Sequence, residues 1–189
     1  MFRKLTTRRK YPWTGEIHGK KFTFRPMTKE DRAVIVDFTA GLPHSDILFL
    51  QSDITKPEVI DEWVGAVERG RAFVLLAFNS ANEIAGYASL YHNETSWARH
   101  QIEIRMFVSR PYRSTGVGKH LAGEITAVAE EQDIEIIMVN VPREHPHIRV
   151  MLEKKGFTVQ ALLTDWLMDT DGKTHDLLVM ARRLKDDVS

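Results

Sequence analysis

Cysteine is absent from the 189 residues of this chain. That absence excludes disulfide bonds, thiolate metal ligands, a cysteine nucleophile and an acyl-cysteine intermediate. An excess of charge is absent too, because 26 Lys and Arg residues balance 26 Asp and Glu residues, so no overall field attracts nucleic acid or an anionic membrane. No apolar run reaches the length of a membrane span, and the N-terminus has no secretory apolar region. We therefore expect a cytoplasmic protein whose partners include neither membrane nor nucleic acid.

The apolar content is sufficient for one substantial core. Hydrophobic residues make up 43% of the chain and charged residues 28%, which is ordinary for a single globular domain of this length. A basic arm occupies the first ten residues and contains Arg3, Lys4, Arg8, Arg9 and Lys10. Two interpretations of the arm stay open: it binds an acidic partner, or it is a solvated tail, and the tail is the commoner case.

The most informative segment is a glycine turn between a strand pattern and a helix pattern. Residues 102–108 alternate as a half-buried strand, and apolar residues recur at helical spacing over 121–129. A glycine turn that opens a helix offers a phosphate unpaired N–H groups and the positive end of the helix dipole. A Walker loop is excluded because His120 follows Gly118-Lys119, and a Rossmann fingerprint is excluded because Leu121 stands at its third glycine position.

The turn reads Tyr112-Arg113-Ser114-Thr115-Gly116-Val117-Gly118. It resembles the pyrophosphate loop of the GNAT family of acyl-CoA N-acyltransferases, where Arg or Gln, two further residues and Gly-x-Gly follow a strand. A second segment, Leu152-Glu153-Lys154-Lys155-Gly156-Phe157, is similar to a family motif at the end of the fourth helix. The resemblance covers residues 21–184. Within the family, the opening at 22–31 and the glutamate at 103 are similar to bacterial protein-lysine acetyltransferases.

The resemblance implies an α/β (α+β) fold with a central mixed, mostly antiparallel sheet of seven strands. About four helices would flank this sheet, which splays open between the strand ending at Val108 and the strand starting at Ile134 to hold coenzyme A. Sequence patterns predict strands at 21–25, 71–78, 84–92, 100–108, 134–141, 157–169 and 175–184, and helices at 28–41, 55–67, from the glycine loop to 132, and at 145–155. Residues 1–20, with a hairpin strand at 11–17, would precede an acetyltransferase domain at 21–185.

An N-acyltransferase must take a proton from an amine, whose reference pKa is about 10.4, and must stabilise an oxyanion. The resemblance implies that Glu103 is the general base, because family members that use a glutamate carry it at this position. Glu103 shares one strand face with Arg105, so an ordinary surface ion pair is the alternative. The family also bends this strand with a bulge, and the N–H of Phe107 or Val108 is expected to serve the oxyanion.

The implied cosubstrate is acetyl-CoA, without a metal. Its predicted contacts are Met106, Phe107, Val108, Arg113, Ser114, Thr115, Gly116, Val117, Gly118, Lys119 and His145, with the three strand residues acting through their backbone. Leu152 stands where many family members carry a tyrosine acid, so Tyr87, Tyr91, Tyr112 or water is left to protonate the thiolate. The pair in His145-Pro146-His147 lacks a third metal ligand at useful spacing.

The expected reaction is direct acetyl transfer to a primary amine, either a protein lysine or a small molecule. Residues 41–54 would form one wall of the acceptor site, where Asp46 and Asp53 attract a cationic amine or are simply solvated, and Trp166 lines the site or packs. Succinyl-CoA is a possible different donor, and Arg105 would supply the cation for its extra carboxylate. The alternative from another functional class is a non-catalytic acyl-CoA-binding domain with the same fold. Monomer and homodimer both stay open.

Overall fold

The chain forms one mixed sheet with helices on both faces. The computed structural model describes residues 5–43, 46, 54–92 and 97–184. The strands are β1 Trp13–Ile17, β2 Lys20–Pro26, β3 Ala72–Asn79, β4 Ile84–Tyr91, β5 Gln101–Val108, β6 Ile136–Pro142, β7 Thr158–Met168 and β8 Thr174–Arg183. The α-helices are α1 Arg32–Ala40, α2 Pro57–Glu68, α3 Val117–Glu130 and α4 Pro146–Glu153.

The order of strands in the sheet is β1-β2-β3-β4-β5-β6-β8-β7. Strands β5 and β6 are parallel, and the other neighbours pair antiparallel. The parallel pairing runs from Gln101 opposite Ile136 to Ile104 opposite Val139 and ends there, although both strands continue. Beyond that point β5 and β6 line the two sides of an open slot. The predicted splay of the sheet is therefore present between these strands.

Two apolar clusters hold the layers together. The first packs α3 against one face of the sheet, and the second packs α1 and α2 against the other. Strand β5 contributes Ile102 and Ile104 to the first cluster and Phe107 to the second. A fully buried aliphatic or aromatic side chain contributes about 1.5–3 kcal/mol, so β5 is fixed from both faces. Because side chains alternate along a strand, Glu103 and Arg105 are directed towards α1 and α2.

The predicted fold class is confirmed, but the sheet of the described residues has eight strands rather than seven. The additional strand is β1, which pairs with β2 from Trp13 opposite Phe24 to Ile17 opposite Lys20 and forms an edge of the sheet. The hairpin predicted at 11–17 thus joins the sheet, while the proposed domain boundary at residue 20 stays a prediction. No helix in the described ranges is long and apolar enough to cross a membrane.

The basic arm does not behave as a solvated tail where the structure describes it. Arg9 donates from Nε and Nη2 to the Glu124 carboxylate at 2.9 and 2.7 Å. The backbone N–H of Arg8 donates to Glu131 Oε2 at 2.7 Å. Both acids belong to α3 or its C-terminal end, so the acidic partner of this segment lies in the same chain. Residues 1–4 lie outside the described ranges.

Candidate active site

The glycine loop has the backbone conformation that its sequence predicts. Ser114 and Gly116 adopt positive φ angles of 62° and 89°, and Gly116 is the N-cap of α3. The N–H groups of Val117, Gly118 and Lys119 in the first turn of α3 have no intrahelical acceptor. They form a cradle for an anion, supported by the helix dipole.

Gly118 sits close to the strand that precedes the loop. A Cβ at this position would meet Val108 Cγ2 at 3.3 Å. Glycine therefore keeps the first turn of α3 close to the end of β5 and leaves the cradle open. Two predicted cofactor residues have side chains that are already engaged elsewhere. The Thr115 hydroxyl donates to the Tyr112 carbonyl at 2.6 Å, and the Val117 side chain is fully buried in the core. Thr115 and Val117 can therefore contribute only backbone groups to the cradle.

Arg113 is held at the mouth of the cradle by two contacts. Its Nε donates to the Val108 carbonyl at 3.0 Å, and its Nη2 lies 2.9 Å from Asp46 Oδ2. The side chain of Asp46 is only 2% exposed and also faces Arg110 at 3.6 Å. Asp46 was expected either to attract a cationic acceptor amine or to be solvated, and both expectations are wrong, because its carboxylate is buried and already faces two guanidinium groups. Asp53, the other acid of that prediction, lies outside the described residues.

The backbone of β5 is available to a ligand in the slot, but not through the bulge that the resemblance implies. Pairing of β5 with β4 runs without a register shift from Glu103 opposite Tyr91 to Val108 opposite Gly86. A shift occurs instead in β4, between the pairs Ala77–Gly86 and Phe78–Ile84. The free main-chain groups of β5 arise because β6 diverges, not because β5 bulges.

The direction of the β5 carbonyls selects which residues face the slot. The Phe107 carbonyl oxygen lies against β4, only 2.6 Å from where a Cβ of Gly86 would be. The Val108 carbonyl points the other way and accepts from Arg113. Because N–H and C=O of one residue in an antiparallel pair point to the same side, the backbone of Met106 and Val108 faces the slot. The Val108 N–H can therefore serve the oxyanion, as one of the expected donors, whereas the Phe107 N–H is directed towards β4.

A cleft of about 1370 Å³ runs from the glycine loop along the slot to a pocket beside α2. Its lining includes nine of the predicted cofactor residues: Met106, Phe107, Val108, Arg113, Ser114, Gly116, Gly118, Lys119 and His145. The far end is lined by the aromatic residues Trp63, Tyr87 and Tyr91. We call this end the aromatic pocket, and the cleft therefore joins two regions of different chemistry.

Glu103 lies on β5 behind the cleft wall and is not itself one of the cleft-lining residues. Its Oε1 accepts from Asn140 Nδ2 of β6 at 3.3 Å, and its Oε2 accepts from Arg105 Nη2 at 3.0 Å. The side chain is 23% exposed, and both residues that hold it line the cleft. The alternative of an ion pair with Arg105 is thus present in the structure, and the carboxylate is in contact with two residues of the cleft wall.

The aromatic pocket consists of stacked rings around the Arg105 guanidinium. Arg105 Cζ lies 4.2 Å from the Tyr91 ring centre. The rings of Trp63 and Tyr87 meet edge to face at 4.9 Å, and Tyr87 stacks on Phe107 at 5.9 Å. Sequence reasoning missed Trp63 and did not group the tyrosines, although Tyr87 and Tyr91 alternate along one strand face with Ser89.

The three tyrosines considered as proton donors all line the cleft. Burial raises the pKa of Tyr91 to about 12, and burial also raises the pKa of Tyr87. Both hydroxyls therefore remain protonated at neutral pH. The Tyr112 hydroxyl accepts a hydrogen bond from Asn79 Nδ2 at 2.6 Å. Leu152 is buried in the core and has no proton to give.

His145 begins α4 and is half-buried in the cleft wall. Burial, followed by the charge of His147, lowers its pKa, so the imidazole is neutral at pH 7 and can accept or donate a hydrogen bond. The two histidine rings lie 5.7 Å apart, edge to face. Within the described ranges, no group of three or more His, Cys, Asp or Glu residues could hold a metal ion.

Comparison with known proteins agrees with this geometry. Residues 43–157 match the family model described as the acetyltransferase (GNAT) family. This chain belongs to the GNAT acetyltransferase family. The match extends from the segment before α2 to the end of the second motif, and so includes the glycine loop, Glu103 and both strands of the slot. A search of curated proteins finds no match.

Solved GNAT structures have the same fold at low identity. A GNAT acetyltransferase from Streptococcus pneumoniae is 19% identical, with a TM-score of 0.72 over 86% of this chain and 99% of that one. The yncA protein of Salmonella typhimurium, solved with its cofactor acetyl-CoA, is 19% identical, with a TM-score of 0.74 over 89% and 96%. Spermidine N-acetyltransferase from Vibrio cholerae, solved with CoA and spermine, is 13% identical, with a TM-score of 0.70 over 86% and 95%.

Proposed function

We propose that the protein transfers an acetyl group from acetyl-CoA directly to a primary amine, with Glu103 as the general base. The amine belongs to a protein lysine or to a small molecule. The observation that carries the proposal is that the Glu103 carboxylate is hydrogen-bonded to two residues of the cleft wall, Asn140 and Arg105. From behind these two residues the carboxylate takes the amine proton, directly or through one water, as the amine attacks a thioester in the slot.

The residues present fit coenzyme A. The first turn of α3 offers N–H groups to the pyrophosphate, and Arg113 and Lys119 add positive charge at the same end of the cleft. The backbone of Met106 and Val108 offers hydrogen bonds along the slot, as a missing strand would use them. Acetyl-CoA supplies the activated thioester carbonyl.

The chain's own groups then account for each proton and charge. Glu103 accepts the proton of the attacking amine. The Val108 N–H donates to the oxyanion that develops on the thioester carbonyl. Collapse of the tetrahedral species forms the amide and releases the thiolate. With Leu152 at the usual tyrosine position, the thiolate takes its proton from water or from a cleft tyrosine.

Thiol release from acetyl-CoA, measured across lysine peptides and small amines, tests this function. We expect release that depends on one class of acceptor, with an N-acetylated product of the expected mass. The competing proposal is a non-catalytic acyl-CoA-binding domain, favoured by the lack of a tyrosine at 152. Tight acetyl-CoA binding without release for any acceptor would support that proposal, and a Glu103→Gln variant would then behave like the wild type.

A further inference from the structure

Arg105 is the feature of the aromatic pocket that amine acetylation alone does not explain. Its guanidinium carries five N–H donors, of which one, on Nη2, donates to Glu103. The Nε group is buried and makes no hydrogen bond to any described residue. A buried guanidinium N–H without an acceptor is costly. Since the Arg105 side chain is 29% exposed, an anionic ligand group can reach its Nη donors and stabilise the guanidinium, although the Nε atom itself is covered.

The orientation of Arg105 separates it from the cofactor. Its guanidinium stacks on Tyr91 of β4, and β4 lies on the side of β5 away from the slot. The other strong cations of the cleft lining, Arg113 and Lys119, belong to the glycine loop. The cation of the aromatic pocket therefore faces the acceptor end rather than the pyrophosphate.

From these contacts we infer that the acceptor is a zwitterionic amino acid with an apolar side chain, whose carboxylate binds Arg105. This inference rests on the proposed function and narrows its acceptor. Arg105 Nη2 donates to Glu103 Oε2 at 3.0 Å, so an amine and a carboxylate joined through one carbon can lie beside this pair, with the carboxylate on the Nη donors that Glu103 does not use. The rings of Trp63, Tyr87 and Tyr91 supply an apolar wall for the side chain.

The same charges disfavour acceptors that carry a second positive group near the amine. A polyamine would place an additional ammonium near the Arg105 guanidinium, and two like charges at short range repel each other. The transfer step forms the amide C–N bond and breaks the thioester C–S bond. The ammonium of the zwitterion first gives one proton to Glu103, which returns it to solvent, and the neutral amine attacks the thioester carbonyl. The second nitrogen proton is lost as the thiolate leaves with the C–S electron pair, and it reaches the thiolate through water.

Paired acceptors that differ only in the carboxylate test the inference. The pairs are L-phenylalanine with 2-phenylethylamine and L-leucine with isopentylamine, each assayed for kcat/KM with the wild type, Arg105→Met and Arg105→Lys. Because a charge-assisted hydrogen bond contributes about 1.5–3 kcal/mol, we expect Arg105→Met to lose about 10- to 100-fold on the amino acids. We expect much smaller changes on the decarboxylated amines, with partial recovery in Arg105→Lys.

Arg143→Met is the matched control, because Arg143 is an exposed arginine paired with Asp176 and is not part of the cleft lining. It should retain the wild-type preference. A wild-type preference for the decarboxylated amines, or equal losses on both members of a pair in Arg105→Met, overturns the inference and leaves the acetyltransferase proposal standing. Succinyl-CoA supplies a further arm: if Arg105→Met abolishes succinyl transfer to the simple amines and does not alter acceptor preference, the carboxylate belongs to the donor and the inference is wrong.

Binding of acetylated products keeps the inference testable if no amine is turned over. Calorimetry in the presence of coenzyme A compares N-acetyl-L-phenylalanine with N-acetyl-2-phenylethylamine. Tighter binding of the carboxylated ligand to the wild type, lost in Arg105→Met, supports carboxylate recognition even if the proposed catalysis fails. Equal affinities, or binding of neither ligand, contradict it.

Discussion

The two ends of the cleft are built in different ways. The cofactor end uses mainly backbone groups from the end of β5 and the first turn of α3, within residues 106–119, although Asp46 from outside this range holds Arg113. The acceptor end uses side chains that α2, β4 and β5 bring together. In the sequence, strands β3 and β4 lie between Trp63 and Arg105. A motif of seven residues specifies the first end, whereas only the folded sheet creates the second.

That difference explains what the sequence could predict. The glycine loop and the order of helices and strands follow from local turn chemistry and from periodicity, whereas the slot was implied by the family resemblance, and the family match and the structure agree with both. Glu103 and Arg105 were correctly placed on one strand face because the period of a strand is two residues. Neither the stacking of Arg105 on Tyr91 nor the contact of Asn140 with Glu103 has a local signature, since both depend on strand neighbours distant in sequence.

The wrong expectations share the same origin. Asp46 is far from Arg113 in sequence, so nothing local indicated that the two pair. The β5 bulge was an inference from resemblance, and in this chain the register shift lies in β4 instead. The pairing of the basic arm with Glu124 also required knowledge of which helix lies beneath residues 8–11.

A substitution that blocks the anion cradle at the cofactor end should have the largest effect, a loss of acetyl-CoA affinity. In Gly118→Glu, the new side chain meets Val108 and places a negative charge in the anion cradle. We expect acetyl-CoA affinity to fall at least about 100-fold, equivalent to ~2.7 kcal/mol, measured by calorimetry. The matched control is Gly123→Glu in the same helix, where a Cβ has ordinary contact with Lys155. Wild-type affinity in Gly118→Glu would show that the loop is not the pyrophosphate cradle.

Removing a side chain from the rim of the cleft should raise the acceptor KM and leave the acetyl-CoA affinity unchanged. Trp166 lines the cleft and is 67% exposed, so its indole is available to a ligand and contributes little to the core. We expect Trp166→Ala to raise the acceptor KM by about 5-fold, or ~1 kcal/mol, at unchanged acetyl-CoA affinity. Trp97→Ala, which removes a 92% exposed tryptophan outside the cleft lining, should change neither. Weakened acetyl-CoA binding in Trp166→Ala would place this residue at the cofactor end.

A pH-dependent contact supports the wall that carries Trp166. His175 of β8 hydrogen-bonds Asp169 at 2.7 Å and Glu144, next to α4, at 2.9 Å. These contacts, with Asp169 first, raise the pKa of His175. Its stabilisation is fully present below the unfolded-state pKa of about 6.5 and is lost as pH rises through the higher folded-state pKa.

We therefore expect the Tm difference between wild type and His175→Gln to be largest near pH 6 and to shrink at alkaline pH. Thermal denaturation across this range measures it, with acetyl-CoA affinity as the control that the cofactor end is intact. A Tm difference that grows with pH would contradict the assignment, because it would mean that neutral His175 is the stabilising form.

The smallest effect is expected where the basic arm crosses α3, outside both ends of the cleft. Glu124→Ala removes the exposed ion pair with Arg9 and the hydrogen bond from the Tyr11 hydroxyl. Pairs of this kind contribute about 0.2–1 kcal/mol, so the free energy of unfolding in urea should fall by no more than about that amount. Transfer kinetics should be unchanged. A large kinetic effect would show that the arm communicates with the cleft.

The most direct test of the central claim, that Glu103 is the general base, is the single-turnover rate of acetyl transfer in Glu103→Gln. The glutamine keeps the shape of the side chain and its contact with Asn140 but cannot take the amine proton. At saturating acetyl-CoA and acceptor, we expect the rate to fall about 10²- to 10⁴-fold while acetyl-CoA affinity stays at the wild-type value. A rate equal to that of the wild type would contradict the claim and leave Glu103 as the structural partner of Arg105.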